Sequence, residues 1–282
     1  MRSVGEATIL VTGSTDGLGK LTAQDLAAAG ATVLLHGRDP ERGEAAVREL
    51  REASGNDELR YYLADFSSLD QVRRLADEVR ADHDHLDVLV NNAGIGAGKR
   101  GASERSLSQD GYEMRFAVNY LAPFLLTRLL LPLLHRSAPA RIVNVASGAQ
   151  TPIDFDDVML ERGYDGMRAY AQSKLALVMF TFDLAEELEG AGVAANCLHP
   201  ASLMNTKMVF EWFGHASSSV REGADATIRL ATSPELEWVT GRYFEGRREA
   251  HADSQAYKEE ARDRLRRLSE ELTGLYAPNA SS

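Results

Sequence analysis

Of the nine tyrosines in the chain, only Tyr170 has a lysine four residues later, Lys174. Positions i and i+4 lie on one helix face, so the two side chains can meet. An ammonium held near a phenol favours phenolate and is expected to lower a pKa that starts near 10. A two-unit depression needs about 2.7 kcal/mol of differential interaction. Such a tyrosine can give or take a proton near neutral pH. Because long side chains on an exposed helix also produce this spacing, the pair acquires meaning only if other groups converge on it. Ser147 follows the run Asn144-Val145-Ala146, where a hydroxyl at a strand end could orient a carbonyl; a turn or cap serine is the simpler account. Asn119 lies inside an apolar helical stretch, where asparagine is a poor helix former. Pro123 removes the N–H that the carbonyl of residue 119 would otherwise accept and should kink the helix. The freed carbonyl can hold a water leading toward Lys174 and solvent.

A second cluster lies at the N-terminus. A strand-like run over roughly 7–11 leads into Thr12-Gly13-Ser14-Thr15-Asp16-Gly17-Leu18-Gly19 and then a helical pattern. A strand feeding a glycine-rich turn into a helix N-terminus brings backbone N–H groups and the positive helix end against an anion. Gly13, Gly17 and Gly19 let the backbone approach, and Ser14, Thr15 and Leu18 complete the predicted cradle for a pyrophosphate. After the second strand comes His36-Gly37-Arg38-Asp39. A carboxylate there suits the ribose hydroxyls of NAD, whereas Arg38, with Arg42 one turn on, suits the 2′-phosphate of NADP. The expected cofactor is therefore NADP rather than NAD, although Asp16 and Asp39 are acids that could repel the phosphate. Asp65-Phe66 ends the third strand, where an acid can accept from an adenine amino group or simply close a turn. Asn91-Asn92-Ala93-Gly94 ends the fourth; Asn91, Ala93 and Gly94 are expected against the cofactor ring, with the asparagines bridging strands.

These residues need a scaffold that brings strand ends together. At 282 residues and 44% apolar content the chain can bury a sizeable core. Apolar runs alternate with helical patterns, which predicts one α/β domain over 1–282, a doubly wound, seven-stranded parallel sheet with helices on both faces. The strands are expected at roughly 7–12, 31–36, 60–65, 86–91, 140–146, 193–199 and 241–244. Helices are expected over about 18–29, 41–53, 70–82, 110–135, 167–190 and 217–231, with an amphipathic C-terminal helix over about 257–275 packing on its own domain. Three long connections, 95–109, 148–166 and a substrate loop at about 201–219, leave strand carboxyl ends and should surround the site. The last carries Leu203, Met204, Met208, Val209, Phe210, Trp212 and Phe213, an apolar lining. Lys99, Arg100 and Arg105 on the first are rim cations.

A formal charge of −11 argues against nucleic-acid or anionic-membrane partners. The single cysteine, Cys197, sits in an apolar run and reads as a small core residue. His83 and His85 flank Asp84 without further ligands at diagnostic spacing, so no metal is expected, and His199 reads as structural. Strand one starts within about ten residues of Met1 and no apolar run is expected to approach the roughly 20 residues of a membrane span, so a cytoplasmic protein without signal peptide or anchor is expected.

Taken in order, Thr12 to Gly19, Asn91 to Gly94, Asn119, Ser147, Tyr170 and Lys174 resemble the short-chain dehydrogenase/reductase family over nearly the whole chain. Gly37-Arg38-Asp39, the acidic insert at 153–157, Tyr170-Ala171-Gln172-Ser173-Lys174 and Thr240-Gly241-Arg242-Tyr243-Phe244 resemble its retinol-dehydrogenase and WW-domain-oxidoreductase branch. The resemblance implies a Rossmann fold and a mostly NADP-linked enzyme. It implies Ser147 as substrate-orienting serine, Tyr170 as acid/base, Lys174 as ribose ligand and Asn119 as water holder. It also places Pro200, Ala201, Leu203 and Thr206 beside the nicotinamide. Ala201 stands where the family has glycine and Thr206 lies one position late, so the backbone there must differ. The expected activity is interconversion of a carbonyl and an alcohol on an apolar small molecule by a homodimer or homotetramer. An epimerase or dehydratase using the same site, and a non-catalytic NADP sensor, are the rivals.

Overall fold

The computed structural model describes residues 2–98 and 104–275. Thr8–Val11 forms β1, four buried residues of which Thr8, Ile9 and Val11 are β-branched, as suits a strand covered on both faces. Then follow α1 (Gly17–Ala28), β2 (Thr32–Gly37), α2 (Pro40–Ser54), β3 (Leu59–Leu63), α3 (Leu69–Asp82) and β4 (Val88–Asn91). The second half comprises α4 (Met114–Phe116), a π turn (Ala117–Leu121), α5 (Ala122–Arg136), β5 (Ala140–Val145), α6 (Gly166–Glu187), β6 (Val193–His199), α7 (Lys207–Phe213), α8 (Val220–Thr232), β7 (Tyr243–Glu245), β8 (Arg248–Ala250) and α9 (Glu259–Thr273).

The sheet order is β3-β2-β1-β4-β5-β6-β7-β8. The seven expected strands are all present and parallel; β8 is an addition, pairing antiparallel with β7 through Glu245↔Arg248 and Tyr243↔Ala250. Gly246, at φ +56°, permits the tight turn between them. The order reverses at β1, which pairs with both β2 and β4 and so opens a crevice at their carboxyl ends. Strand side chains alternate between two cores. Leu10, Leu34, Leu89, Ile142 and Cys197 face α3, α5 and α6, while Ile9, Val11, Val33, Val88 and Val90 face α1, α2 and α8. Burial pushes the Cys197 thiol up to about 12, in keeping with a core residue.

The kink expected at Pro123 takes the form of the π turn. Ala122 N–H bonds the carbonyl of Ala117 five residues back, so an extra residue is accommodated where Pro123 cannot donate. The apolar run here was underestimated: Met114–Arg136 is 23 residues and apolar enough to cross a membrane by length and composition. Its window is 78% buried inside the fold, between α3 and α6, as the central helix of the core. The C-terminal helix α9 covers the outside of the α5/α6 layer. Leu265 is buried, Arg262 pairs with Glu186 at 2.6 Å, and the Tyr120 and Ser269 hydroxyls meet at 2.5 Å. That is the expected packing on its own chain, with the start displaced by a short 3-10 turn, Ser254–Tyr257.

Candidate active site

The loop after β1 is fastened to the end of β4 by a reciprocal lock. Thr12 Oγ1 accepts the amides of Asn92 and Ala93, both at 2.9 Å, and Asn92 Nδ2 donates to the Thr12 and Gly13 carbonyls. Glycine is required at two points for close approach. A Cβ on Gly13 would lie 2.8 Å from Ala93 Cα, and one on Gly19 would lie 2.3 Å from both Asn92 Nδ2 and the Gly13 oxygen. Gly17 is different: its φ is +53° and a Cβ would meet only Thr206 Cγ2, at 3.8 Å, filling an open cleft. The first-turn amides of α1, including Leu18 and Gly19, have no intrahelical acceptor and border that cleft. Ser14 is buried against His36, and Thr15 borders Gly37, so the predicted cradle is assembled. These features fit a dinucleotide diphosphate.

Around the end of β2, both suspect acids are occupied. Asp39 caps α2 by accepting the Arg42 amide at 3.0 Å. Asp16 caps α1 and pairs with Arg42 and Lys207, each at 3.0 Å, and the Lys207 hydrogen bond holds its carboxyl below the usual range. Arg38 is exposed and has no ion pair among the described residues. After β3 Asp65 closes a turn by accepting the Ser67 amide at 2.9 Å, while Phe66 is buried and stacks on His36 at 4.3 Å between centroids. Its ring therefore points inward. Asn91 bridges β4 to β5 through Asn144 at 2.8 Å and to α5 through Thr127.

The chemical residues converge at the ends of β4 and β5. Asn119, fully buried in the π turn, grips Ile95: Oδ1 accepts its amide at 2.8 Å and Nδ2 donates to its carbonyl at 3.0 Å. Its Nδ2 also donates to Ser173 at 3.0 Å. Gly94 lies over this group; a Cβ there would sit 3.1 Å from Asn119 Oδ1 and 3.5 Å from Lys174 Nζ. Lys174, 5% exposed, donates to the Val145 carbonyl at 2.9 Å. Ser147 accepts the Ala149 amide at Oγ and shares a hydrogen bond with Tyr170. The Ser147 carbonyl in turn receives Gln150 Nε2 at 2.9 Å and the Tyr243 hydroxyl at 3.3 Å.

One electrostatic expectation is reversed. Burial raises the Tyr170 pKa, opposed only by the Ser147 hydrogen bond, and burial pulls Lys174 down to about 8. The ammonium stands over the Tyr170 ring, 5.9 Å from its centroid. For each group desolvation is the dominant influence.

The third wall is the loop after β6. Pro200 and Ala201 are buried, and the chain turns at Leu203, whose φ of +48° is unusual for a branched side chain. An isolated bridge, Met204↔Ser218, closes the base of the loop. Thr206 caps α7, a helix not anticipated from sequence, and its methyl faces Gly17 across the cleft. Met208 lies against Gly96 across the crevice. Of the rim cations, Lys99 and Arg100 lie outside the described residues; Arg105 instead bonds the Met159 carbonyl at 2.8 Å and holds the insert. His83 bonds the Tyr62 hydroxyl, His85 contacts Thr8, and His199 contacts Ser202.

Sequence reasoning missed several supports. Gln172, buried between the two chemical residues of α6, holds the insert through Asp154 N and the Val158 carbonyl. Arg115, Glu113 and Tyr164 form a buried cluster that holds the Gly96 and Ala97 carbonyls. For Gln172 and Arg115 the available signal was a polar residue amid apolar helical neighbours.

Residues 7–215 match the short chain dehydrogenase family. The chain is 38% identical over 291 residues to retinol dehydrogenase 13 of Mus musculus, spanning 97% of this chain and 86% of that one. Among solved structures, an uncharacterized protein from Mycobacterium paratuberculosis superposes with a TM-score of 0.77 at 31% identity, covering 97% of this chain and 96% of that one. RhlG of Pseudomonas aeruginosa, solved as an NADP active-site complex, gives 0.68 at 30% identity over 87% and 97% of the two chains.

Proposed function

The chain belongs to the short-chain dehydrogenase/reductase family, in its retinol-dehydrogenase-like branch, and is an NAD(P)-dependent oxidoreductase of carbonyls and alcohols; from that premise we propose an NADP-linked enzyme acting on apolar substrates through Ser147, Tyr170, Lys174 and Asn119. The observation that carries the reading is the buried Lys174, bonded at the end of β5 and standing over the Tyr170 ring, with Ser147 beside that phenol and Gly94 beside the ammonium.

When bound, the nicotinamide supplies the two-electron carrier that exchanges hydride with the substrate carbon. Gly13 to Gly19 would hold the diphosphate, Lys174 the adjacent ribose, and Pro200 to Thr206 the far wall. Tyr170 and Ser147 both donate to the substrate oxygen, so charge developing on it is stabilised as it forms. With Tyr170 raised and Lys174 near 8, the pair stands at neutral pH as phenol and ammonium, the form that gives a proton during reduction. Lys174 then supplies positive charge as phenolate forms. The Asn119 carbonyl, deprived of the Pro123 donor, holds the water through which the proton is replaced.

Arg38, without an ion pair among the described residues and beside two acids that are already occupied, supports NADP over NAD, as does the NADP complex of the RhlG relative. Replacing Arg38 with alanine is expected to raise the NADPH dissociation constant about tenfold or more, the value of a charge-assisted hydrogen bond, and to leave NADH unchanged. Parallel fluorescence titrations check this; equal effects on both cofactors would remove Arg38 from the phosphate site. For substrate, Phe210 and Phe213 of the loop remain about half exposed and α7 buries none of its residues, leaving an apolar surface for an apolar aldehyde or ketone, retinoids included given the relatives' names. The burial of Met114–Arg136 fits a core helix rather than a membrane span, and a homodimer or homotetramer rests on the family alone.

A further inference from the structure

We propose that His36 is a positioning residue of the cofactor site: its imidazole, fixed in one tautomer between Gly13 and Ala64, sets the orientation of the diphosphate loop. The inference rests on the dinucleotide reading above. His36 is 3% exposed near the end of β2. Its Nδ1 lies 3.1 Å from the Gly13 amide, which can only donate, so Nδ1 accepts. Its Nε2 lies 3.0 Å from the Ala64 carbonyl, which can only accept, so Nε2 carries the proton. Two backbone partners thus determine the tautomer. Phe66, stacked at 4.3 Å and 24°, fixes the ring plane.

The main chain of the same residue holds the next position of the loop. His36 N donates to Ser14 Oγ at 3.0 Å and its carbonyl accepts the Ser14 amide at 2.9 Å. Gly13, at φ +64°, is the point where the chain leaves β1 and turns, so the direction of its amide sets those of the amides that follow. On the other side, Ala64 leads into Asp65 and Phe66 at the adenine end. One side chain therefore spans from the diphosphate loop to the adenine wall. Burial keeps the ring neutral, with a pKa near 4 although Asp65 pulls it upward. A charged ring would point an N–H at the Gly13 N–H.

The test titrates the full chain with NADPH and NADH by fluorescence, as wild type, His36→Leu and His36→Gln. Leucine keeps the apolar volume without donor or acceptor, whereas glutamine offers one of each. His36→Leu is expected to weaken both cofactors about tenfold or more and by equal factors, as for lost hydrogen bonds on a shared element; His36→Gln should recover most of it. Nitrogen-15 NMR of the wild type should show a neutral, Nε2-protonated ring at pH 6. A folded His36→Leu chain that binds NADPH like wild type, or a His36→Gln chain that binds no better than it, overturns the proposal. Should His36→Leu not fold, an Nδ1-protonated or charged ring at pH 6 overturns it. Failure of the wild type to bind either cofactor would instead refute the dinucleotide reading.

Discussion

Replacing Tyr170 with phenylalanine is expected to lower kcat by about 10²- to 10⁴-fold, the range supplied by a positioned acid/base group. The effect should fall on kcat alone, with the NADPH dissociation constant changed by less than about twofold, because the glycine loop and Arg38 are untouched. The substitution removes one oxygen from a ring that otherwise keeps its place on α6, so a folding defect is not the expected cause. Ser147 retains the Ala149 amide and the two donors on its carbonyl, so its turn stays formed. Steady-state kinetics beside a binding titration separates the terms. A variant with more than a tenth of wild-type kcat would move the proton to another group.

Lys174→Met is the second large effect. It is expected to cost about 10²- to 10³-fold in kcat through loss of the charge facing a developing phenolate. It should also weaken cofactor binding, in contrast to the tyrosine variant. Because burial lowers Lys174 from 10.5 to about 8, the wild-type kcat should fall as pH rises through about 8, and this limb should disappear in the variant. Stability runs in the opposite direction. Between pH 8 and 10.5 the unfolded chain holds a proton that the folded chain has released, so stability increases with pH across that window. The total gain is about 3 kcal/mol. Lys174→Met should lack that gain. Denaturant titrations at pH 7.5 and 10 check the sign.

The strand sequence, the glycine loop and the Tyr170 to Lys174 spacing were legible because each rests on a strong local pattern: β-branched runs, glycines at a strand-to-helix turn, and helical periodicity. What escaped was short or decided by burial. β8 is three residues, two of them charged, and has no alternating apolar signal. α7 is seven residues with none buried, so no periodic core face announced it. The direction of the Tyr170 shift depends on how dry the site is, which spacing does not reveal. Arg105 reads as a rim cation until the Met159 carbonyl is seen beside it. Asp16 and Asp39 looked hostile to a phosphate, and only tertiary contacts show them engaged by Arg42, Lys207 and two helix ends. His36 appeared as one more strand residue, and the two backbone groups that meet its ring come from parts of the chain more than 20 residues away on either side.

The central claim is net reduction or oxidation at the Ser147 and Tyr170 hydroxyls. The most direct measurement follows NADPH loss at 340 nm while product is identified by chromatography, across apolar aldehydes and ketones, for wild type and Tyr170→Phe. The account predicts one equivalent of alcohol for each NADPH consumed by the wild type, with turnover nearly abolished in the variant. Tight NADPH binding with no alcohol from any carbonyl, or product formed without net NADPH loss, would contradict it and point to a sensor or to an epimerase or dehydratase.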